Sequence, residues 1–389
     1  MSPDNLEHLK FRPVVQSLTS NPGADMIRYA RGQEGLLWLG QGEGDVPTPD
    51  FIVNTTIKAM QDGLMFYGPA LGSPYLRQAL SEYYQNIFGF NIPTSRIFVT
   101  QSGSNAMHIS LSSLLDKGDE VVAVTPIWKN LLGAVELMQA NIKEVALDDT
   151  PESWSLDLDK LFDACTDKTR VLLLVSPSNP TGWTASDEEI KQILDFCRER
   201  GIWIIADEVY NRLTFNALRA PSFLDHAKPT DRLLVVNSFS KTWAMTGWRL
   251  GWIVGPEESE DLIRDVALYN NLCPQPFTQR GGIAALEQGE DFIKEQKTLW
   301  RSNRDLVYQR FEESGRIHIK KTDATFYGFF KVDGEPDCYA LTKRFVDESK
   351  VALSPGCAFG KSGFGYVRMC FAISEKRLNE ALDKMLGIL

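Results

Sequence analysis

Cysteine pairing signals, histidine clusters, long apolar runs and excess positive charge are all missing from this 389-residue sequence. Its six cysteines (Cys165, Cys197, Cys273, Cys338, Cys357 and Cys370) show no CxxC pair and no metal-ligand spacing. They read as ordinary buried or half-buried thiols. The four histidines (His8, His108, His226 and His318) are too few and too scattered for a zinc site. No apolar run approaches the roughly 20 residues that a membrane span needs. The Met1-Ser2-Pro3-Asp4 start also lacks the charged-then-apolar build of a signal peptide. With 41 Lys and Arg against 51 Asp and Glu, the formal charge is -10. That balance argues against a nucleic-acid partner, although a few local cations still suffice for a small anion. A reducing cytoplasm, with no membrane partner, is the expected setting.

What is present is an ordinary globular composition, 43% hydrophobic and 24% charged, on a chain long enough for two domains. Between about residues 95 and 255, short apolar runs alternate with amphipathic stretches. The runs are 96–100, 121–124, 171–175, 202–206, 233–236 and 250–254. Their hydrophobicity is nearly continuous, which suits strands covered on both faces in a mostly parallel sheet. Helices are expected between them. Ser186 with Glu189 makes a capping box, Ile190, Ile193, Leu194 and Cys197 share one face, and Gly201 supplies the stop. Leu111, Leu114 and Leu115 lead in the same way to Gly118. An α/β core is therefore expected over 46–279. A smaller α+β domain should form from both chain ends, 1–45 and 280–389.

Ligands of open α/β sheets bind beyond the carboxyl ends of the strands. The residues following each run make a coherent set there: Ser102-Gly103-Ser104, then Trp128, Asn179, Asp207 and Tyr210, and finally Ser238, Lys241 and Arg249. Each singly has a plain structural reading as a solvated lysine, a turn acid, a core aromatic or an ordinary ion pair. Together they match the needs of a phosphorylated pyridine aldehyde. The helix start near Ser102–Asn105, Ser238 and Arg249 would take the phosphate. Trp128 would stack on the ring and Asp207 would pair with its nitrogen. Asn179 and Tyr210 would reach the ring oxygen, and Lys241 would bind the aldehyde as a Schiff base and carry protons.

The stretch Ser238-Phe239-Ser240-Lys241-Thr242-Trp243-Ala244-Met245-Thr246-Gly247-Trp248-Arg249 closely resembles the lysine segment of class I/II aminotransferases of pyridoxal-phosphate fold type I. Asn179-Pro180-Thr181-Gly182 and Asp207-Glu208-Val209-Tyr210 are similar to that family's other signatures, in order. Gly42-Glu43-Gly44-Asp45 resembles its substrate loop, Tyr67-Gly68-Pro69 its intersubunit tyrosine, and Tyr366-Val367-Arg368-Met369 its carboxylate-binding stretch. The resemblance spans roughly residues 35 to 375. It implies a homodimer that binds pyridoxal 5'-phosphate and moves an amino group between an L-amino acid and a 2-oxo acid by ping-pong steps. Catalysis would rest on Lys241, Asp207 and Tyr210. Tyr67 would reach the other subunit's phosphate, and Gly42, Asn179 and Arg368 would bind substrate. A lyase acting by β-elimination on the same cofactor is the alternative. Some aspartate-using relatives carry a lysine where Ser104 stands. Lys129 and Trp183 lie nearby with no assigned role, Lys129 reading first as a surface lysine and second as a candidate replacement cation.

Overall fold

The computed structural model describes residues 10–18 and 21–389. His8 and the Met1–Asp4 start lie outside them. Seven strands form the main sheet: β1 (Ile97–Thr100), β2 (Glu120–Thr125), β3 (Asn141–Ala146), β4 (Thr169–Val175), β5 (Trp203–Asp207), β6 (Leu233–Ser238) and β7 (Gly251–Val254). Their spatial order is β1-β7-β6-β5-β4-β2-β3. The continuous apolar runs are explained by two covering layers. Val171, Leu173 and Val175 point into one core cluster, while Leu172 and Leu174 point into the other. A strand with period-2 side chains must be apolar at every position when both faces are covered.

Two elements depart from the sequence reading. The run at 250–254 looks like its neighbours, yet β7 pairs antiparallel with both β1 and β6. Strand direction leaves no mark on a doubly covered strand. β3 was not expected at all, because Asn141-Ile142-Lys143-Glu144-Val145-Ala146 is a partly solvated edge strand beside β2 and carries few apolar residues.

Among the helices, α1 (Gly103–Leu114) follows β1 directly. In α2 (Asp187–Arg200) the expected capping box is present, its four apolar residues are buried, and Gly201 is left-handed. Beyond the main sheet come α3 (Glu260–Asn271) and the long α4 (Glu290–Ser314). The second sheet contains β8 (Ile317–Ile319), β9 (Tyr327–Val332), β10 (Ser354–Pro355) and β11 (Val367–Cys370), antiparallel in the order β8-β9-β11-β10. Leu37–Trp38 pairs in parallel with Val351–Ala352, so a segment near each end of the chain meets beside this sheet. No described helix is long and apolar enough to cross a membrane.

Candidate active site

The carboxyl ends of β1, β2, β4, β5 and β6 open on one cavity of about 410 Å3, closed on its other side by β9 and β11. That volume is in the range of small-ligand sites.

One end of the cavity is built to take an anion. Gly103 and Ser104 start α1, so their backbone N–H groups have no partner within the helix. Space there is tight. A Cβ on Gly103 would lie 3.2 Å from the Ser238 side chain. A Cβ on Gly251 would lie 2.6 and 2.7 Å from the backbone of Ser102 and Gly103. β7 thus presses its glycine beneath the helix start. Ser238 lines the cavity, and so does the exposed Arg249, which adopts a left-handed backbone with φ 53°. Arg249 Nη1 donates to the Thr246 carbonyl at 2.6 Å. Ser102 is placed differently. Its hydroxyl accepts from Asn105 N at 3.0 Å as the cap of α1, and it does not line the cavity.

The middle holds an acid and an amine whose charged forms are both opposed by burial. Asp207 ends β5, and one carboxylate oxygen accepts from Val209 N at 3.1 Å. No ion pair reaches it among the described residues. Burial pushes its carboxyl up to about 7, with the Lys241 charge working in the opposite direction. Lys241 sits in the single helical turn Phe239–Thr242 just after β6. Its Nζ donates to the Gly42 carbonyl at 2.5 Å. Burial lowers its amine to about 8. Asn179 Nδ2 donates to the Tyr210 hydroxyl at 3.4 Å, and Trp128 forms a half-buried aromatic wall.

At the far end stands Arg368 on β11, 4% exposed. Nη1 donates to Asn179 Oδ1 at 2.9 Å and Nη2 donates to the Gly40 carbonyl. The guanidinium lies between the Tyr327 ring at 4.5 Å and the Phe359 ring at 4.9 Å. Its Nε has no partner, and no carboxylate pairs with it among the described residues. A buried cation without a counter-ion is costly, so this end is poised for a carboxylate. Gly42 has to be a glycine, since a Cβ there would come within 2.2 Å of the Tyr327 hydroxyl.

Of the expected residues, Gly42, Gly103, Ser104, Trp128, Asn179, Asp207, Tyr210, Ser238, Lys241, Arg249 and Arg368 therefore share one cavity. Tyr67 does not. It stands 84% exposed on the surface. Lys129 is not the replacement cation, because its ammonium is bound to Glu136 at 2.6 Å outside the cavity lining. Trp183 is core. The sequence reading missed Tyr327, hidden in the aromatic run Phe326-Tyr327-Gly328-Phe329-Phe330, which reads as buried strand. The residues fit a phosphorylated pyridine: an anion cradle at one end, a buried acid with an unused oxygen in the middle, and an aromatic wall alongside.

A lysine amine and a buried guanidinium with no carboxylate partner thus face one cavity. The chain belongs to the class I and II aminotransferases, whose family model matches residues 34–385. It is 32% identical over 363 residues to a probable aspartate aminotransferase of Methanocaldococcus jannaschii, covering 90% of this chain and 92% of the relative. It is also 32% identical over 368 residues to aromatic-amino-acid aminotransferase 2 of Thermococcus litoralis, covering 94% of each. The crystal structure of an aromatic aminotransferase from Pyrococcus horikoshii superposes with a TM-score of 0.87 at 33% identity, over 94% of this chain and 98% of that one. The protein is an aminotransferase, of a family generally dependent on pyridoxal phosphate. These relatives lend no support to the β-elimination alternative.

Proposed function

We propose that this chain transfers an amino group between an L-amino acid and a 2-oxo acid, as a cytoplasmic homodimer holding pyridoxal 5'-phosphate on Lys241. The observation that carries the reading is the pairing of Lys241, its amine lowered to about 8, with the unpaired buried Arg368 across one cavity. When bound, the cofactor supplies an aldehyde for a primary amine and a ring that withdraws electrons.

Each residue then has a task. Gly103 and Ser104 at the start of α1, with Ser102 as its cap, and Ser238 and Arg249 hold the phosphate. Asp207 keeps a proton on the ring nitrogen. Burial that penalises its lone charge makes a cationic partner welcome. Asn179 and Tyr210 would hydrogen-bond the ring oxygen, and Trp128 would cover the ring and exclude water. Arg368 takes the substrate α-carboxylate, with Asn179 and the Gly42 backbone beside it. Displaced from the aldehyde by the substrate amine, Lys241 Nζ would be free to take the proton leaving the substrate α-carbon and to give one back, work suited to an amine lowered to about 8. Met65, Phe66 and Tyr67 stand 63%, 84% and 84% exposed. In the homodimer this apolar segment would be covered, bringing Tyr67 of each subunit to the other's phosphate. The proposed large domain is 46–279 and the small one 1–45 with 280–389, of which residues 1–9 and 19–20 lie outside the described residues.

The test is a single half-reaction. Cofactor-loaded protein given an L-amino acid alone should release one equivalent of 2-oxo acid per subunit and then stop. With both substrates, double-reciprocal plots should be parallel. Continuous release of pyruvate and ammonia without an acceptor would contradict the proposal.

A further inference from the structure

Four side chains from two sheets close a ring of contacts at the bottom of the cavity. Arg368 Nη1 donates to Asn179 Oδ1 at 2.9 Å, and Asn179 Nδ2 donates to the Tyr210 hydroxyl at 3.4 Å. The Tyr210 and Tyr327 hydroxyls are 2.8 Å apart. The Tyr327 ring lies under the Arg368 guanidinium at 4.5 Å. Asn179 and Tyr210 come from loops of the main sheet, Tyr327 and Arg368 from β9 and β11.

We infer that Tyr327 is a positioning residue that donates its hydroxyl proton to Tyr210 and so makes Tyr210 a stronger hydrogen-bond donor toward the cofactor's ring oxygen.

Counting protons sets the direction of this bond, given the proposed function. A phenol has one proton to give. If Tyr210 gives its proton to the ring oxygen, its own oxygen can only accept, and the 2.8 Å contact then requires Tyr327 to donate. Tyr327 has no competing claim on that proton, since its hydroxyl has no other hydrogen-bond partner among the described residues. It also has little freedom to turn away. The ring is fully buried, Tyr210 meets it edge to face, and Gly42 backs onto the hydroxyl so closely that no Cβ fits. The positive charge of Arg368 next to the ring makes the Tyr327 proton easier to share, against the opposing effect of burial. Hydrogen bonds in a chain strengthen one another in a dry site. A better donor on the ring oxygen stabilises negative charge there and favours the deprotonated form of the bound chromophore.

The test compares the pH titration of the visible absorbance of cofactor-loaded wild type, Tyr327→Phe, Tyr210→Phe and the double variant. Tyr327→Phe keeps the ring against Arg368 and removes only the hydroxyl. Its titration midpoint is expected to rise by about half to one pH unit, the size of one hydrogen bond. In the Tyr210→Phe background the same change is expected to cause no further rise, because Tyr327 acts through Tyr210. KM is expected to stay within about twofold in Tyr327→Phe and to rise in Tyr327→Leu, which takes the ring from Arg368. A wild type that titrates and a folded Tyr327→Phe, checked by its melting curve, with an unshifted midpoint overturn the inference alone. Equal shifts in both backgrounds also overturn it. A wild type with no cofactor band overturns the proposed function, and the inference with it.

Discussion

Lys241 and Asp207 carry opposite burial penalties into the same cavity, and each sets a measurable pH dependence of the cofactor-free protein. The Lys241 amine is lowered to about 8 by burial. Its reaction with an amine-directed reagent, followed by peptide mapping, should rise with a midpoint near pH 8. A midpoint near 10.5, the value of a solvated lysine, would contradict this. For Asp207, with its carboxyl raised to about 7, the folded state binds a proton more tightly than the unfolded state. This group therefore favours folding below about pH 4, and that contribution is lost as the pH rises through 7. Asp207→Asn should flatten the fall in urea midpoint between pH 5 and 8 and be the more stable protein at pH 8, by an amount on the order of a few kcal/mol. A variant that loses stability as steeply as wild type would refute the assignment. At this scale much was legible. The placement of Lys241, Asp207, Asn179 and Tyr210 around one cavity could be read because each lies at the carboxyl end of a strand or within four residues of it, where an α/β sheet places its ligands. Tyr327 was not legible, since only tertiary contact separates a structural aromatic from one that touches Tyr210. Nor did any spacing reveal that Arg368 would lack a counter-ion.

At the scale of elements, β7 is the instructive strand. Its apolar residues could be read, but its reversed direction could not, and that reversal brings Gly251 under the start of α1. A methyl group added there meets backbone atoms of Ser102, Gly103 and Asn237 at 2.6 to 2.8 Å, which have no rotamer in which to retreat. Gly251→Ala is expected to cost about 1–3 kcal/mol of stability and to weaken cofactor binding in equilibrium dialysis, because the displaced backbone is the proposed phosphate cradle. Unchanged cofactor affinity would show that the cradle does not depend on β7. By contrast, Ser186→Ala removes the cap of α2, whose capping box was plain in the sequence because its bonds are local. It should cost about 1 kcal/mol in thermal unfolding and leave the turnover number unchanged.

Across the whole molecule, the sequence suggests a smaller domain from both chain ends but marks no contact within it. The pairing of Leu37–Trp38 with Val351–Ala352 joins stretches too short to carry a strand pattern. The exposed segment Met65-Phe66-Tyr67 belongs to this scale as well. A protein of 43.8 kDa per chain should sediment at twice that mass. Phe66→Glu should shift it toward the monomer and reduce activity in parallel, because Tyr67 would no longer reach a neighbouring site. A fully active monomer would rule out the shared site. Whether Lys241 holds the cofactor is decided by borohydride reduction of the loaded protein, followed by digestion and mass mapping. One pyridoxyl-phosphate adduct per chain is expected, on the peptide containing Lys241. An adduct on another lysine, or none at all, would contradict it.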